Sequence, residues 1–266
     1  DDANIDDLKS GNTSVLGENV ELKNFDWTSE SGLTNTEFVF DGVDDYIQIE
    51  YENNSKKQEL ANNGFTFEFY GRVSEGTSYD ENNNMIDPMY KGNIYTGLFS
   101  YWSGVDTETP GMRFGFQNSC IKWNTGETGN SELSSDYSEE GYPWNILYPK
   151  INDFEYGDEI YYTITLDTTE SYEKDGKSYY KNCVYVNGEL LYEGGVDIRQ
   201  WDGFVEDSLP ALRYFNVGRS NMHKVGWWHY AKLNTYTLRL YNKSLTADEA
   251  LDNYNKSVAY RNALLK

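Results

Sequence analysis

Apolar and polar residues alternate with a period of two along most of the chain, and this pattern predicts β-strands. Residues 65–73 (FTFEFYGRV) show it clearly, because phenylalanine occupies every second position of the first half. Such alternation is typical of a strand with one buried and one exposed face. Similar runs occur at residues 37–49, 97–102, 112–117, 120–123, 212–219 and 236–241.

Two turn sequences join strand-like runs in the middle of the chain. Asp175-Gly176 and Asn187-Gly188 both lie within residues 160–194 and are flanked by apolar runs. Asn-Gly is a strong hairpin signal, because a type I′ turn requires positive φ at both central residues. The pattern therefore predicts a three-stranded antiparallel meander.

The only clear helical signal lies near the C-terminal end. Thr246 and Glu249 have the spacing of a capping box, in which each side chain accepts a hydrogen bond from the other residue's backbone amide. Leu251 and Tyr254 follow at helical spacing. A short helix is predicted over residues 247–256.

Two long segments, residues 74–93 and 124–153, lack the strand pattern. Loops of this length inside a compact domain commonly form functional rims. No repeat or Pro/Ser-rich linker divides the chain, so residues 1–266 are interpreted as a single domain with its core at 37–256. The polar N-terminal segment has no signal-peptide pattern, and we expect a module excised from a larger protein.

The composition is acidic and rich in aromatic residues. There are 44 Asp and Glu residues against 22 Lys and Arg, a net charge of -22, and aromatic residues make up 16% of the chain. This charge disfavours nucleic acid and anionic membranes as partners, since both require a basic surface. It suits neutral ligands or cations, although it also serves solubility alone. No apolar run is long enough to span a membrane, so no membrane insertion is expected.

The two cysteines leave two interpretations open. Cys120 and Cys183 each lie in a strand-like run. They are either one disulfide between neighbouring strands or two buried thiols. Their spacing does not resemble a zinc site.

Four stretches have the order and spacing of a known β-sandwich family. Residues 38–49 (FVFDGVDDYIQI) match its opening strand and residues 184–194 (VYVNGELLYEG) match a central hairpin. Residues 215–220 (FNVGRS) and 236–255 (YTLRLYNKSLTADEALDNYN) match its last strands and closing helix. The chain thereby resembles the laminin-G-like and concanavalin A-like jelly rolls of secreted bacterial proteins. The resemblance implies an all-β sandwich of two antiparallel sheets with a short C-terminal helix, a fold that hosts lectins, adhesion modules and hydrolases.

The carboxylates do not form a glycosidase pattern. Glucanases of this fold carry two or three acids on one face of a strand, where alternation brings them together. Glu68 is the only acid within its strand-like run. Sequence motifs of serine hydrolases, zinc proteases and phosphate-binding loops are missing too. The sequence therefore favours a non-catalytic protein.

One acidic turn is a candidate calcium site. Asp41, Asp44 and Asp45 fall within a short turn sequence, and hard carboxylate oxygens are the ligands that calcium prefers. Where the family usually carries an Asp before the closing strand, this chain has Asn234 or Thr235. The alternative is that Asp41 forms an ordinary turn with the following glycine and the acids are solvated.

Aromatic residues outside the predicted strands are candidates for sugar binding. A sugar ring stacks its C–H face on Trp, and its hydroxyl groups bond to amide, carboxylate and guanidinium groups. The alternative for each Trp is core packing. Trp227 and Trp228 are adjacent, so in an extended chain only one of them faces inward. The candidate ligand-binding residues are Trp144, Trp201, Trp227, Trp228, Arg219, Asn221 and His223.

These observations favour a non-catalytic, extracellular carbohydrate-binding or adhesion module of a bacterial surface or secreted protein. Its expected partner is a glycan or cell-surface polysaccharide, besides other domains of a larger chain, and a structural calcium ion is the expected cofactor. Two alternatives stay open. One is a structural or protein-binding module of a surface appendage or phage particle, and the other is a glycan-cleaving enzyme with acids on separate strands.

Overall fold

A computed structural model places two large antiparallel sheets face to face and a small third sheet at one end. It describes residues 8–9, 16, 19–34, 36–50, 54–74, 78–80, 95–102, 112–117, 120–125, 146–150, 155–199, 201–202, 214–221 and 227–266. Every pairing between described strands is antiparallel. The predicted all-β sandwich is confirmed.

Each sheet combines strands that are distant in the sequence. Across sheet A, neighbouring strands are Val20–Lys23 (β1), Tyr46–Glu50 (β4), Tyr214–Val217 (β14), Tyr95–Trp102 (β7), Met112–Gln117 (β8), Cys120–Thr125 (β9) and Ile146–Lys150 (β10). Across sheet B they are Glu189–Asp197 (β13), Lys177–Val186 (β12), Glu159–Lys174 (β11), Phe65–Val73 (β5), Lys232–Tyr241 (β17), Phe38–Asp41 (β3) and Gly32–Leu33 (β2). Sheet C contains Arg219–Asn221 (β15), Trp227–Tyr230 (β16) and Ser78–Asp80 (β6).

The hydrophobic core lies between sheets A and B. Phe67 of β5 and Phe215 of β14 meet across the two sheets, with ring centroids 6.1 Å apart. Aromatic and branched side chains from both inner faces surround them, and Ile164 and Leu233 are fully buried. The phenylalanine alternation in β5 therefore marks the core face, as the sequence pattern indicated.

The predicted meander is confirmed by β11, β12 and β13, which are neighbours in sheet B. Asp175 and Gly176 have φ of 51° and 74°, and Asn187 and Gly188 have φ of 51° and 80°. Both central residues of each two-residue turn are therefore in the left-handed region that a type I′ turn needs.

Strand β5 differs from the prediction of one exposed face. Thr66, Glu68 and Tyr70 are at most 5% exposed, like the phenylalanines between them. The cover over this outer face includes the C-terminal helix Ala247–Leu264 (α2). This helix has the predicted capping box of Thr246 and Glu249, but it continues eight residues beyond the predicted end at residue 256.

Other elements were not predicted from the pattern. Asn54–Asn63 (α1) is a helix of almost wholly polar sequence, in which Leu60 is buried, so it offers no apolar stripe to recognise. Strands β6 and β10 lie in the two segments that were expected to lack strands. No helix among the described residues is long and apolar enough to cross a membrane.

A buried polar cluster joins α2 to the outer face of sheet B, and we call it the Glu68 clamp. The Glu68 carboxylate accepts hydrogen bonds from Arg239 Nη1 at 3.2 Å and from the Tyr241 hydroxyl at 3.2 Å. Asn253 Nδ2 of α2 donates to both carboxylate oxygens at 3.2 and 3.1 Å, and Thr163 Oγ1 donates at 3.4 Å. Arg239, Tyr241 and Asn253 therefore have a structural role, which is to hold the helix against a buried carboxylate.

Cys183 is a free thiol. It lies in β12 of sheet B, is 3% exposed, and burial raises the pKa of its thiol. Cys120 lies in β9 of sheet A. For Cys183, the interpretation as a buried thiol therefore holds.

Candidate functional site

Three chain crossings meet at one end of the sandwich, which we call the crossing end. Residues 41–45 carry the chain from β3 in sheet B to β4 in sheet A, Gly218 leads from β14 into sheet C, and Ala231 leads from sheet C into β17. The Ala231 amide donates to the Gly218 carbonyl oxygen at 2.7 Å. A Cβ atom at Gly218 would lie 3.3 Å from the Asp45 carbonyl oxygen, so the turn packs against this crossing.

The acidic turn brings its three carboxylates together. One carboxylate oxygen each from Asp41, Asp44 and Asp45 lie within 4.8 Å of one another. Asp41 Oδ1 accepts hydrogen bonds from the Val43 amide at 2.7 Å and the Asp44 amide at 3.3 Å. Asp45 accepts from the Asp41 amide at 2.9 Å and from the Ser31 hydroxyl at 3.1 Å. The turn is thus held by its own side chains.

Burial and crowding disfavour negative charge at this turn. Asp45 is fully buried, and burial raises the pKa of its carboxyl to about 7, with a smaller contribution from the charges of Asp41 and Asp44. The hydrogen bonds from the Asp41 amide and from Ser31 act in the opposite direction. Burial also raises the pKa of the Asp44 carboxyl, and repulsion from the charges of Asp41 and Asp26 raises it further.

The donor set fits a calcium ion. Calcium binds six to eight oxygens at roughly 2.3–2.6 Å, so two ligand oxygens on opposite sides of one ion are roughly 5 Å apart. The 4.8 Å limit within the trio of Asp41, Asp44 and Asp45 is compatible with that spacing. A cation would also relieve the repulsion that raises the pKa of Asp44. The hydrogen bonds described above nevertheless hold the turn without an ion.

The buried Asp45 carboxyl predicts a pH-dependent stability in metal-free buffer. Its pKa is 3.8 in the usual case and about 7 in the fold, so the folded state binds a proton that the unfolded state releases between these values. This contribution to stability is fully present below pH 3.8 and is lost as the pH rises through about 7. The free energy of unfolding falls by up to about 4 kcal/mol over that range.

The variant Asp45→Asn should therefore become more stable relative to the parent as the pH rises from about 4.5 to about 7.5. Its amide oxygen can still accept from the Asp41 amide, and its NH₂ group can donate to the Ser31 hydroxyl. Urea unfolding with a chelator present measures the difference at each pH. A difference that does not change with pH would contradict the assignment.

A buried arginine lies beside the acidic turn. Arg219 is 9% exposed, and its guanidinium carbon lies 3.6 Å from the centroid of the Tyr46 ring. Tyr230 packs against Tyr46 with ring centroids 6.4 Å apart, and Asn216 Oδ1 accepts from Arg219 Nη2 at 3.4 Å and from Gln48 Nε2 at 3.2 Å. Burial lowers the pKa of Arg219, while the two tyrosines favour its charged form. This cluster anchors the first residue of β15 to the sandwich.

Sheet C brings together residues that are distant in the sequence. Asn221 of β15 is opposite Trp228 of β16, and Trp228 is opposite Tyr79 of β6. Trp227 is opposite Asp80. The sequence analysis placed the two tryptophans outside the predicted strands. They lie in a strand instead, because β16 pairs with β15 on one side and with β6 on the other.

The remaining predicted ligand-binding residues have different outcomes. Trp201 is 3% exposed and belongs to the hydrophobic core, so it is not available to stack on a sugar; the core-packing alternative holds. Arg219 is also buried, within the cluster around Tyr46. Trp144 and His223 lie outside the described residues.

The sequence interpretation missed Tyr46 and Tyr230. Tyr46 directly follows the acidic turn, and Tyr230 ends β16, so both flank segments that were already singled out. Nothing in the local pattern indicates that they meet across the crossing end. Their shared neighbour, Arg219, was the available signal, because a cation at the end of an apolar strand needs partners when it is buried.

Comparisons with known proteins identify the fold alone. No protein-family model and no curated protein matches the chain. The crystal structure of the botulinum neurotoxin serotype D/C binding domain matches with a TM-score of 0.52 and 11% identity, over 90% of this chain and 46% of that one. A second structure, described as a receptor binding domain, gives a TM-score of 0.52 and 11% identity over 91% and 47%.

These matches define the class of fold as a β-sandwich that also occurs in toxin binding domains. The chain spans less than half the length of the structures that it matches. The binding that their descriptions name belongs to those whole domains, so it does not by itself locate a binding site on this chain.

Proposed function

We propose that this chain is a non-catalytic, extracellular carbohydrate-binding or adhesion module of a bacterial surface or secreted protein. In this proposal it is a single laminin-G-like, concanavalin A-like domain, and its partner is a glycan or cell-surface polysaccharide. The proposal is supported by the fold, by the acidic net charge and by one arrangement in particular, which is sheet C.

The observation that carries the proposal is the register of sheet C. It places Trp227 and Trp228 in one strand, with Asn221 paired on one side and Tyr79 and Asp80 on the other. A sugar site combines aromatic rings with amide and carboxylate groups, and the paired positions of sheet C carry these residue types. Because adjacent positions of a strand belong to opposite faces of its sheet, each face of this thin sheet receives one of the two tryptophan positions.

We include calcium in the proposal as a structural cofactor held by Asp41, Asp44 and Asp45. The ion would neutralise the carboxylates and fix the acidic turn at the crossing end. Ca²⁺ should then raise the melting temperature of the protein more than Mg²⁺ does, because the smaller ion demands a stricter octahedral geometry. The variant Asp44→Asn should lose this response, and an equal response in that variant would remove calcium from the proposal.

A glycan-array screen with and without calcium tests the function. We expect the parent protein to bind at least one glycan class, and Trp227→Ala or Trp228→Ala to weaken that binding by up to about tenfold, since stacking on an aromatic ring contributes about 0.5–1.5 kcal/mol. Trp201→Phe is the matched control, because that tryptophan is in the core and the change should leave glycan binding unaltered.

The screen also distinguishes the alternatives. Absence of binding to any glycan in either condition would contradict the proposal and favour a structural or protein-binding module. Cleavage of a bound glycan, seen as release of reducing ends, would instead favour an enzyme with acids on separate strands.

A further inference from the structure

The space between the two large sheets is not completely filled. A cavity of about 460 Å³ lies between β1, β4 and β14 of sheet A and β3 and β17 of sheet B. Apolar side chains line most of it, among them Ile47, Ile49, Val217, Phe38 and Leu240. Protein cores are normally packed without voids larger than a water molecule, and a cavity of this size has the volume of a small-ligand site.

The cavity reaches the surface between two exposed leucines. Leu16 and Leu264 line it and are 42% and 44% exposed. Leu264 is the last residue of α2, so the opening lies where the C-terminal helix ends. An apolar rim of this kind allows an apolar molecule to enter without crossing a charged surface.

Two polar groups in the lining lack hydrogen-bond partners among the described residues. Thr235 lines the cavity, is 7% exposed, and its Oγ1 atom is unsatisfied. Glu37 also lines it, and its Oε2 atom is buried and unsatisfied. Buried polar groups are usually satisfied, since leaving one without a partner is costly. An acceptor-only carboxylate and a hydroxyl together call for a ligand that supplies hydrogen-bond donors.

We propose that this cavity binds a single-chain amphiphile, with its hydrocarbon chain between the sheets and a donor head group, such as a primary amine, at Glu37 and Thr235. At roughly 30 Å³ for each group of the size of a water molecule, the cavity has room for about fifteen such groups, which is enough for a chain of about ten carbons with its head. Arg239 also lines the cavity, but its guanidinium donates to the Glu68 carboxylate. Glu37 and the net charge of -22 therefore favour a cationic or neutral head over an anionic one. This site is separate from sheet C and does not depend on the proposed glycan binding.

Isothermal titration with decylamine at about 0.15 M salt, below its micelle concentration, tests the proposal. We expect one molecule to bind per chain. Octylamine should bind about tenfold more weakly, because two fewer methylene groups are buried. Decanoate should bind at least about tenfold more weakly than decylamine, because its carboxylate meets Glu37 without a donor.

Two variants locate the site. Glu37→Gln should weaken decylamine at least about tenfold and leave 1-decanol nearly unchanged, since the amide can still accept a hydrogen bond. Ile49→Trp should weaken binding of both by narrowing the cavity, with circular dichroism to confirm folding. Leu190→Ala is the control, because this leucine is 51% exposed in β13 and should not matter.

Four results would overturn the proposal. The first is no binding of decylamine or decanol. The second is equal affinity for decylamine and decanoate. The third is unchanged decylamine binding in Glu37→Gln, which remains informative if Ile49→Trp does not fold. Binding of many molecules per chain without dependence on chain length would show only attraction to the acidic surface and would equally overturn it.

Discussion

Replacing Arg239 with methionine should lower the free energy of unfolding by about 3 kcal/mol. The change removes a cation, itself 36% exposed, whose Nη1 lies 3.2 Å from the fully buried Glu68 carboxylate. The same nitrogen also donates to the Tyr161 hydroxyl at 3.0 Å and to Ser257 of α2 at 3.1 Å. Methionine keeps most of the apolar stem, so the loss measures the charge and its hydrogen bonds more than packing.

A second ion pair on sheet B provides the matched control for Arg239→Met. Arg72 Nη2 lies 2.8 Å from Glu159 Oε1, but the two side chains are 43% and 37% exposed. Exposed pairs contribute little, so Arg72→Met should cost less than about 1 kcal/mol. Urea unfolding monitored by circular dichroism measures both variants. A similar loss in the free energy of unfolding for the two variants would contradict the view that the buried Glu68 carboxylate requires the Arg239 cation.

The double variant Glu68→Gln with Arg239→Met separates the pair from its surroundings. Glutamine needs no cation and can still interact with Asn253 and Tyr241. The double variant should therefore be more stable than the sum of the two single losses predicts, with a coupling of about 1–3 kcal/mol. Additive losses would mean that the two side chains act independently.

The parts of the fold that could be predicted from the sequence are those fixed by local pattern. The turn at Asn187-Gly188 and the capping box at Thr246 each depend on residues within a few positions of one another. The Glu68 clamp depends on contacts such as Glu68 with Arg239, which are 171 positions apart. Local alternation therefore identified β5 as a strand, but it gave no sign that the helix α2 buries its outer face.

The candidate site shows the same division. The acidic turn of Asp41, Asp44 and Asp45 is compact in sequence, and its residues do lie together. Trp201 was indistinguishable in sequence from an exposed aromatic residue, because whether a tryptophan packs inward is decided by elements far away in the chain. The meeting of Tyr46 with Tyr230 similarly depends on how three chain crossings share one end of the sandwich.

Replacing Gly64 with alanine should have the largest effect of any single methyl addition in the described chain, and we expect little folded protein. Gly64 links α1 to β5 with φ of +71°, in the left-handed region that favours glycine. A Cβ atom there would lie 1.8 Å from the Leu166 carbonyl oxygen of β11. Because the obstacle is backbone in a central strand, it cannot move aside without breaking the pairing of β5 with β11.

Gly176 provides a control that separates the clash from the backbone strain. Its φ is +74°, but a Cβ atom added to it would have nothing within 4 Å. Gly176→Ala should therefore cost only about 1 kcal/mol, which is the strain of a left-handed alanine. Gly64→Ala should cost several times more, measured as soluble yield and as the urea midpoint of any folded protein. An equal loss of stability in the two variants would mean that β11 shifts to accommodate the methyl group. It would contradict the close contact of Gly64 with the backbone of β11.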